Sequence, residues 1–220
     1  MIEYDKLLPD LIAIDATERT QSAISASLIR CRAVVSGHFA LHRGRHAATA
    51  LRFRGIGQDP DALAVVVDAL FERMPPSLAE LLPGAKVLSP ESSGFFLGNA
   101  IARRCEAPLV ISQTDTRRLP TRSLLSGTIE PGDRVMLVND VAGTGASIDA
   151  LRVLVAERHA FLSGVIVFGV VQPEQFRRYC SDLELPAHWL ITAKWRNYTP
   201  AVDCPGCTAG APLIPIAEFV

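Results

Sequence analysis

Asp140 follows Asn139 at the end of a short apolar run, Val135-Met136-Leu137-Val138, and stands just before Val141-Ala142-Gly143-Thr144-Gly145-Ala146-Ser147. A carboxylate beside a loop of small and hydroxylated residues suits recognition of a sugar that carries phosphate. Successive backbone N–H groups across residues 143–147 can converge on one anion, and a helix starting there turns its positive end toward it. Asp140 is placed to accept hydrogen bonds from sugar hydroxyls or to neighbour a hydrated divalent cation. The chain has no Gly-x-x-x-x-Gly-Lys and no Gly-x-Gly-x-x-Gly, so P-loop and dinucleotide readings find no support.

Three further groups of residues have chemistry to offer. Pro90-Glu91-Ser92-Ser93-Gly94 follows a second short strand-like run, Lys86-Val87-Leu88-Ser89. It reads either as a second anion loop or as a plain strand-to-helix turn. Arg117, Arg118 and Arg122 lie around Pro120 in a polar stretch, where guanidinium groups would either grip phosphoryl oxygens or face solvent. Cys204-Pro205-Gly206-Cys207 is a lone Cys-x-x-Cys. It supplies two of zinc's four ligands, so zinc would need other residues or a partner subunit. A redox pair and two packed thiols remain the other readings.

These loops need elements to hold them. Pro131-Gly132-Asp133 is a turn signal, and the run after it reads as a strand buried on both faces, as in a parallel sheet. Helical spacing resumes at Ile148, with Ser147 or Asp149 as the expected cap. Residues 1–33 read as helices, and residues 34–45 as a strand pair about a Gly-containing turn. An amphipathic helix is expected over 61–74, set off by Asp59-Pro60 and stopped by Pro75-Pro76. Strands are expected over 86–89, 108–112 and 165–171, with an edge strand over 189–192. Helices are expected over 95–104 and 175–179, and residues 113–126 read as a loop.

At 220 residues with 49% hydrophobic content, the chain suits one α/β domain with a small appendage. A net charge of −1 gives no general attraction for nucleic acid. The longest apolar runs are too short to span a bilayer, so no membrane partner is expected. The start, Met1-Ile2-Glu3-Tyr4-Asp5-Lys6, does not read as a signal peptide. Five cysteines, an odd number, fit a reducing cytoplasm better than a disulfide framework.

The segment from Arg134 to Ile148 resembles the phosphoribosyl-pyrophosphate (PRPP) motif of type I phosphoribosyltransferases, in which a hydrophobic strand ends in two acids followed by Val-x-Thr-Thr-Gly-x-Ser/Thr. Asp140, Val141, Thr144, Gly145 and Ser147 match, while Asn139 replaces the first acid and Gly143 the first Thr. An earlier segment resembles the orotate phosphoribosyltransferases: Gly37, Phe39, Leu41, Gly44 and Arg45 follow Gly-x-Phe-x-Leu-Lys-Ser-Gly-Arg, with His42 at the basic position and Arg43 beside it. The aromatic pair that follows in those enzymes falls on Ala50-Leu51, and their basic-Lys-Glu signature on Gln113, Thr114 and Asp115. The Cys-x-x-Cys tail followed by Gly210 and Pro212-Leu213 belongs to the same likeness, whose main span is roughly residues 30–175.

The resemblance implies an open, mainly parallel sheet with helices on both faces plus a small hood and terminal subdomain. The expected division is a hood over residues 1–55, a core over 60–192 and a tail over 193–220. It implies transfer of a phosphoribosyl group from PRPP to a base, an orotate-like pyrimidine first among the candidates, in a cytoplasmic homodimer of nucleotide biosynthesis. The implied PRPP site is Asn139, Asp140, Val141, Ala142, Gly143, Thr144, Gly145, Ala146 and Ser147. Glu91, Ser92, Ser93 and Gly94 would receive pyrophosphate, and His42, Arg43 and Arg45 would face the base. Asp140, Arg117 and Arg118 would be catalytic, with Mg²⁺ near Asp140 through water or ribose hydroxyls and Zn²⁺ a further candidate at Cys204 and Cys207. Asn139 and the missing loop signature keep two rivals in view: a PRPP-binding regulator, and a transferase with another acceptor.

Overall fold

The computed structural model describes residues 4–41, 44–91, 93–116 and 119–216. The chain begins with α1 (Tyr4–Leu11), β1 (Ile12–Ile14) and α2 (Glu18–Arg30), then forms the hairpin β2 (Val34–Ala40) and β3 (His46–Leu51). The short α3 (Arg54–Gln58) leads into α4 (Pro60–Arg73) and α5 (Pro76–Ala79). Alternating units follow: β4 (Lys86–Pro90), α6 (Ser93–Arg104), β5 (Leu109–Thr114), β6 (Pro120–Ser126), β7 (Arg134–Ala142) and α7 (Ala146–Glu157). Next come β8 (Phe161–Val170), α8 (Pro173–Asp182), β9 (Ala187–Ala193), α9 (Pro205–Thr208) and β10 (Ile214–Pro215).

Seven strands make one sheet in the order β1-β9-β8-β7-β4-β5-β6. The five inner strands are parallel, and β1 and β6 close the two edges antiparallel. Period-2 alternation explains why both faces carry helices. On β7, Met136 and Val138 join a core beneath α2, α4 and α6, while Val135 and Leu137 join a second core beneath α7 and α8. On β8, Ile166 and Phe168 go to the first core and Val165 and Val167 to the second. Burying both faces leaves no polar position along these runs, so the sequence reads as continuous apolar stretches.

The five parallel strands, taken in chain order, lie in the sheet as second, first, third, fourth, fifth. The order therefore reverses between β4 and β7, and in open α/β sheets the ligand crevice falls at the carboxyl ends of the two strands at such a reversal. A second sheet, β10-β2-β3, unites the two ends of the chain: β10 runs parallel to β2, with Ile214 opposite Phe39. Among the described residues no helix is long and apolar enough to cross a membrane.

Four expectations change in the structure. Residues 12–14 form an edge strand on β9 rather than helix, since Ile12 and Ile14 alternate about Ala13 against Ile191 to Ala193. That pairing makes β9 an inner strand. The expected loop over 113–126 contains β6, an antiparallel return along β5 with two register shifts. The cap of α7 is Gly145, in the left-handed region at φ +91°, and not Ser147 or Asp149. The amphipathic helix over 60–73 starts as read, with the Asp59 carboxylate accepting from the Ala62 N–H at 2.9 Å.

Candidate functional site

The crevice between β4 and β7 is lined by two loops that leave parallel strands side by side. β7 carries Asn139 and Asp140 near its end, Asn139 buried and Asp140 half-buried. The chain then passes Gly143 and Thr144 and enters α7 at Gly145. With glycine as the cap, the cap residue offers no side-chain oxygen to the first-turn N–H groups, and Asp149 N–H donates to Gly145 C=O at 2.8 Å. The N–H groups of Ala146, Ser147 and Ile148 therefore stay available to an anion at the positive end of the helix.

Gly145 is required twice over. Its φ of +91° lies where side chains are strained, and a Cβ there would come within 2.7 Å of the Tyr179 ring. Tyr179 in turn locks the first turn. Its hydroxyl donates to Asp149 Oδ1 at 3.4 Å, and Arg152 donates to the same oxygen from Nε and Nη2 at 3.0 and 2.9 Å. Burial, reinforced by the Asp149 carboxylate, pushes the Tyr179 phenol up to about 12, so it remains a donor. Arg152 offsets the negative charge that Asp149 would otherwise present to a phosphate in the same turn.

The second loop touches the first. A Cβ at Gly94 would lie 2.6 Å from Asn139 Oδ1 and 3.1 Å from Pro90 Cγ. The start of α6 thus lies directly against the side chain preceding Asp140, and a Cβ at Gly94 would force Asn139 to move. Asn139 is therefore a wall between the two loops as well as a polar group beside Asp140.

Glu91 holds the second loop in place. Its Oε1 accepts from the Thr114 N–H at 2.6 Å and from the Thr114 hydroxyl at 3.0 Å, and its own N–H donates to Ser112 C=O at 2.9 Å. These bonds tie the Glu91 carboxylate to β5 and brace the loop. The Ser112 hydroxyl is fully buried and has no hydrogen-bond partner among the described residues.

Of the other expected site residues, Ser92, Arg117, Arg118, His42 and Arg43 lie outside the described residues. Arg45 is described. It donates to the Thr199 hydroxyl at 2.9 Å and to the Asn197 carbonyl at 3.1 Å, tying the hairpin turn to the segment after β9. Arg122 pairs with Glu157 at 2.6 Å on an exposed surface, which joins β6 to the end of α7. Leu51, where orotate enzymes resembled by this chain carry an aromatic, packs on β8: a Cβ at Gly169 would meet its Cδ2 at 2.5 Å.

Cys204 and Cys207 have unexpected neighbours. Four ligand atoms, one each from His38, His46, Cys204 and Cys207, lie within 4.8 Å of one another. Neither His38 nor His46 is among the residues that the sequence singles out. The available signal was a pair of histidines flanking a hairpin turn, eight residues apart, in a chain that also carries an unsatisfied Cys-x-x-Cys.

No family model matches the chain. Among curated proteins, it is 30% identical over 142 residues to the orotate phosphoribosyltransferase of Pyrococcus abyssi, an alignment spanning 64% of this chain and 75% of that protein. It is 27% identical over 195 residues to the orotate phosphoribosyltransferase of Pelotomaculum thermopropionicum, spanning 89% of this chain and 96% of the relative. Among solved structures, orotate phosphoribosyltransferase from Aeropyrum pernix superposes with a TM-score of 0.61 at 20% identity, covering 76% of this chain and 92% of that one. Adenine phosphoribosyltransferase from Rhodothermus marinus superposes with a TM-score of 0.55 at 20% identity, covering 77% and 97%. The crevice between β4 and β7, with its two strand-to-helix loops, is thus set in a phosphoribosyltransferase fold, and the chain belongs to the orotate phosphoribosyltransferase family.

Proposed function

We propose that the chain transfers the 5-phosphoribosyl group of PRPP to a ring nitrogen of an orotate-like pyrimidine and releases pyrophosphate. One observation carries this: the two strand–loop–helix units meet at the reversal of strand order, with Gly94 against Asn139 and Asp140 beside them. Two anion cradles sharing one carboxylate suit a sugar that bears phosphate at one end and pyrophosphate at the other.

In this reading the backbone across residues 143–147 grips the 5′-phosphate, and Asp140 with Asn139 holds the ribose hydroxyls. The backbone around Ser92, Ser93 and Gly94 receives pyrophosphate. The C1–O bond breaks with its electron pair leaving on pyrophosphate, the C1–N bond forms, and the ring N–H gives up its proton. Positive charge builds on the ribose as in other glycosyl transfers, and Asp140 faces it. Arg117 and Arg118 close over the leaving group, and Arg45 with His42 and Arg43 faces the base.

One carboxylate and one amide oxygen at the mouth of two anion loops suit Mg²⁺, which takes most of its ligands from water and substrate phosphates. Asp140 would hold it there, and the bound ion would neutralise charge on the departing pyrophosphate. We include in the proposal a homodimer and a cytoplasmic setting, supported by the family likeness and by five described cysteines without a disulfide.

The test is incubation with PRPP, Mg²⁺ and a panel of bases, read by mass spectrometry for the nucleotide formed. A nucleotide from orotate supports the full reading. A nucleotide from another base only would keep the transferase and change the acceptor. PRPP binding without any pyrophosphate release would make the chain a regulator and overturn the reading; Asn139, standing where the family has an acid, is the residue that favours that outcome.

A further inference from the structure

The geometry points to a structural zinc site formed by His38, His46, Cys204 and Cys207, which ties the end of the chain to the β2–β3 hairpin. Three sulfur–nitrogen distances match the edges of a tetrahedral site. With zinc–sulfur bonds of about 2.3 Å and zinc–nitrogen bonds of about 2.0–2.1 Å, the sulfur–nitrogen edge should be roughly 3.6 Å and the nitrogen–nitrogen edge roughly 3.3 Å. His38 Nε2 lies 3.4 Å from Cys204 Sγ and 3.6 Å from Cys207 Sγ, and His46 Nδ1 lies 3.3 Å from Cys207 Sγ. The two ring nitrogens are 2.9 Å apart.

The arrangement is hard to explain without a cation. His38 Nδ1 lies 2.9 Å from the Ala211 carbonyl, which can only accept, so Nδ1 carries the proton and the neutral ring has a bare Nε2. Three polar atoms, two sulfurs and His46 Nδ1, then converge on one lone pair that accepts about one good hydrogen bond. A backbone carbonyl fixing one nitrogen while the other turns inward is the usual support of a metal-bound imidazole. Burial agrees: Cys204, His38 and His46 are 2%, 6% and 8% exposed. Two thiolates would cancel the charge of one divalent ion and leave a neutral centre that can be buried. Two soft sulfurs and two imidazoles in a closed tetrahedron select zinc in a structural role, because no position is left for a substrate.

The local sequence is built around this contact. Gly206 lies under the His38 ring, where a Cβ would come within 2.5 Å of His38 Cγ. The β2–β3 pairing shifts register between Ser36 and Phe39, a bulge that falls on Gly37 and His38 and re-aims the histidine. After the cysteines, Ala211 N–H donates to Gly206 C=O at 2.9 Å and the chain goes on to add β10 to the hairpin. His38 and His46 also bracket the turn that carries Arg45, so the ion would hold the root of the segment proposed above to face the base.

The experiment is metal analysis of the native chain, purified without chelators or a metal-binding tag. The expected result is one zinc per chain. After removal of zinc, Co²⁺ should restore one equivalent with the strong visible absorption of tetrahedral thiolate coordination. Cys207→Ser and Gly206→Ala should each lose the metal, while Cys31→Ser, remote from the cluster, keeps it. Sub-stoichiometric zinc with Cys204 and Cys207 both freely reactive would overturn the site, as would a Cys204–Cys207 disulfide found by mass. Because the wild-type cobalt spectrum needs no variant to fold and no turnover to occur, its outcome stands apart from that of the transferase reading. If both hold, metal removal raises KM for the base several-fold and leaves KM for PRPP nearly unchanged.

Discussion

Two regions of this molecule gather polar residues, and they do so in opposite ways. The crevice between β4 and β7 is built from short contiguous stretches, 90–94 and 139–147, that neighbouring parallel strands deliver to one place. The cluster under the hairpin is built from His38 and His46 together with Cys204 and Cys207, at the far end of the sequence. The crevice leaves amide N–H groups open at a helix start, whereas the cluster turns four ligand atoms inward on themselves. The first suits a ligand that comes and goes, the second one that stays.

Substitutions should separate the two regions, and the largest effect belongs to the crevice. Asp140→Ala should lower kcat/KM for phosphoribosyl transfer by about 100- to 1,000-fold. Its zinc content should stay at one equivalent. Steady-state kinetics beside metal analysis checks both; a variant that lost the metal as well would merge the two regions into one.

Gly145→Ala comes next. It places a side chain at φ +91° and 2.7 Å from the Tyr179 ring. The strain is on the order of 1–3 kcal/mol, and each 1.4 kcal/mol that falls on the bound state weakens PRPP about tenfold. Thermal unfolding and PRPP titration measure the two shares. Gly94→Ala should act more weakly, since Asn139 can rotate away from the new Cβ, and a loss of roughly tenfold in kcat/KM with little change in Tm is expected. No loss would mean that the two loops work independently.

The smallest effect concerns neither region and calibrates the others. His188 is buried, and its Nε2 donates to the Leu70 carbonyl at 3.0 Å. Burial holds its imidazole below the ordinary value of 6.5. Below about pH 6.5 the unfolded chain therefore takes up a proton that the folded chain resists. Stability is complete above that pH and declines as pH falls, by at most about 1.4 kcal/mol per pH unit. His188→Gln, which keeps a donor, should flatten the fall in Tm between pH 7.5 and 5.5 relative to wild type. An unchanged slope would assign the acid sensitivity to other groups.

The same contrast decides what could be read from the sequence. Val135 to Val138 before Asn139-Asp140, and the glycine loop after it, lie within fifteen residues, so strand, loop and helix start were legible together. The Asp59 cap and the doubled prolines gave the bounds of α4 nearly to the residue for the same local reason. Ile12 to Ile14 misled because three residues on the flank of a helical pattern become a strand only through tertiary pairing with Ile191 to Ala193. The hold of Thr114, on the next strand, on the Glu91 carboxylate is likewise tertiary and leaves no local signal. The partners of Cys204 and Cys207 were hidden for a like reason: a bulge at Gly37–His38 and a tail strand bring them together, and neither leaves a periodic signal.

The central claim is that the crevice recognises PRPP, and calorimetric titration of PRPP with Mg²⁺ tests it most directly. Wild type should bind one equivalent per chain, and Asp140→Ala, equally stable to heat, should bind at least tenfold more weakly. Equal affinity in the two proteins, or no binding to a wild-type chain with an intact thermal transition, would contradict the account.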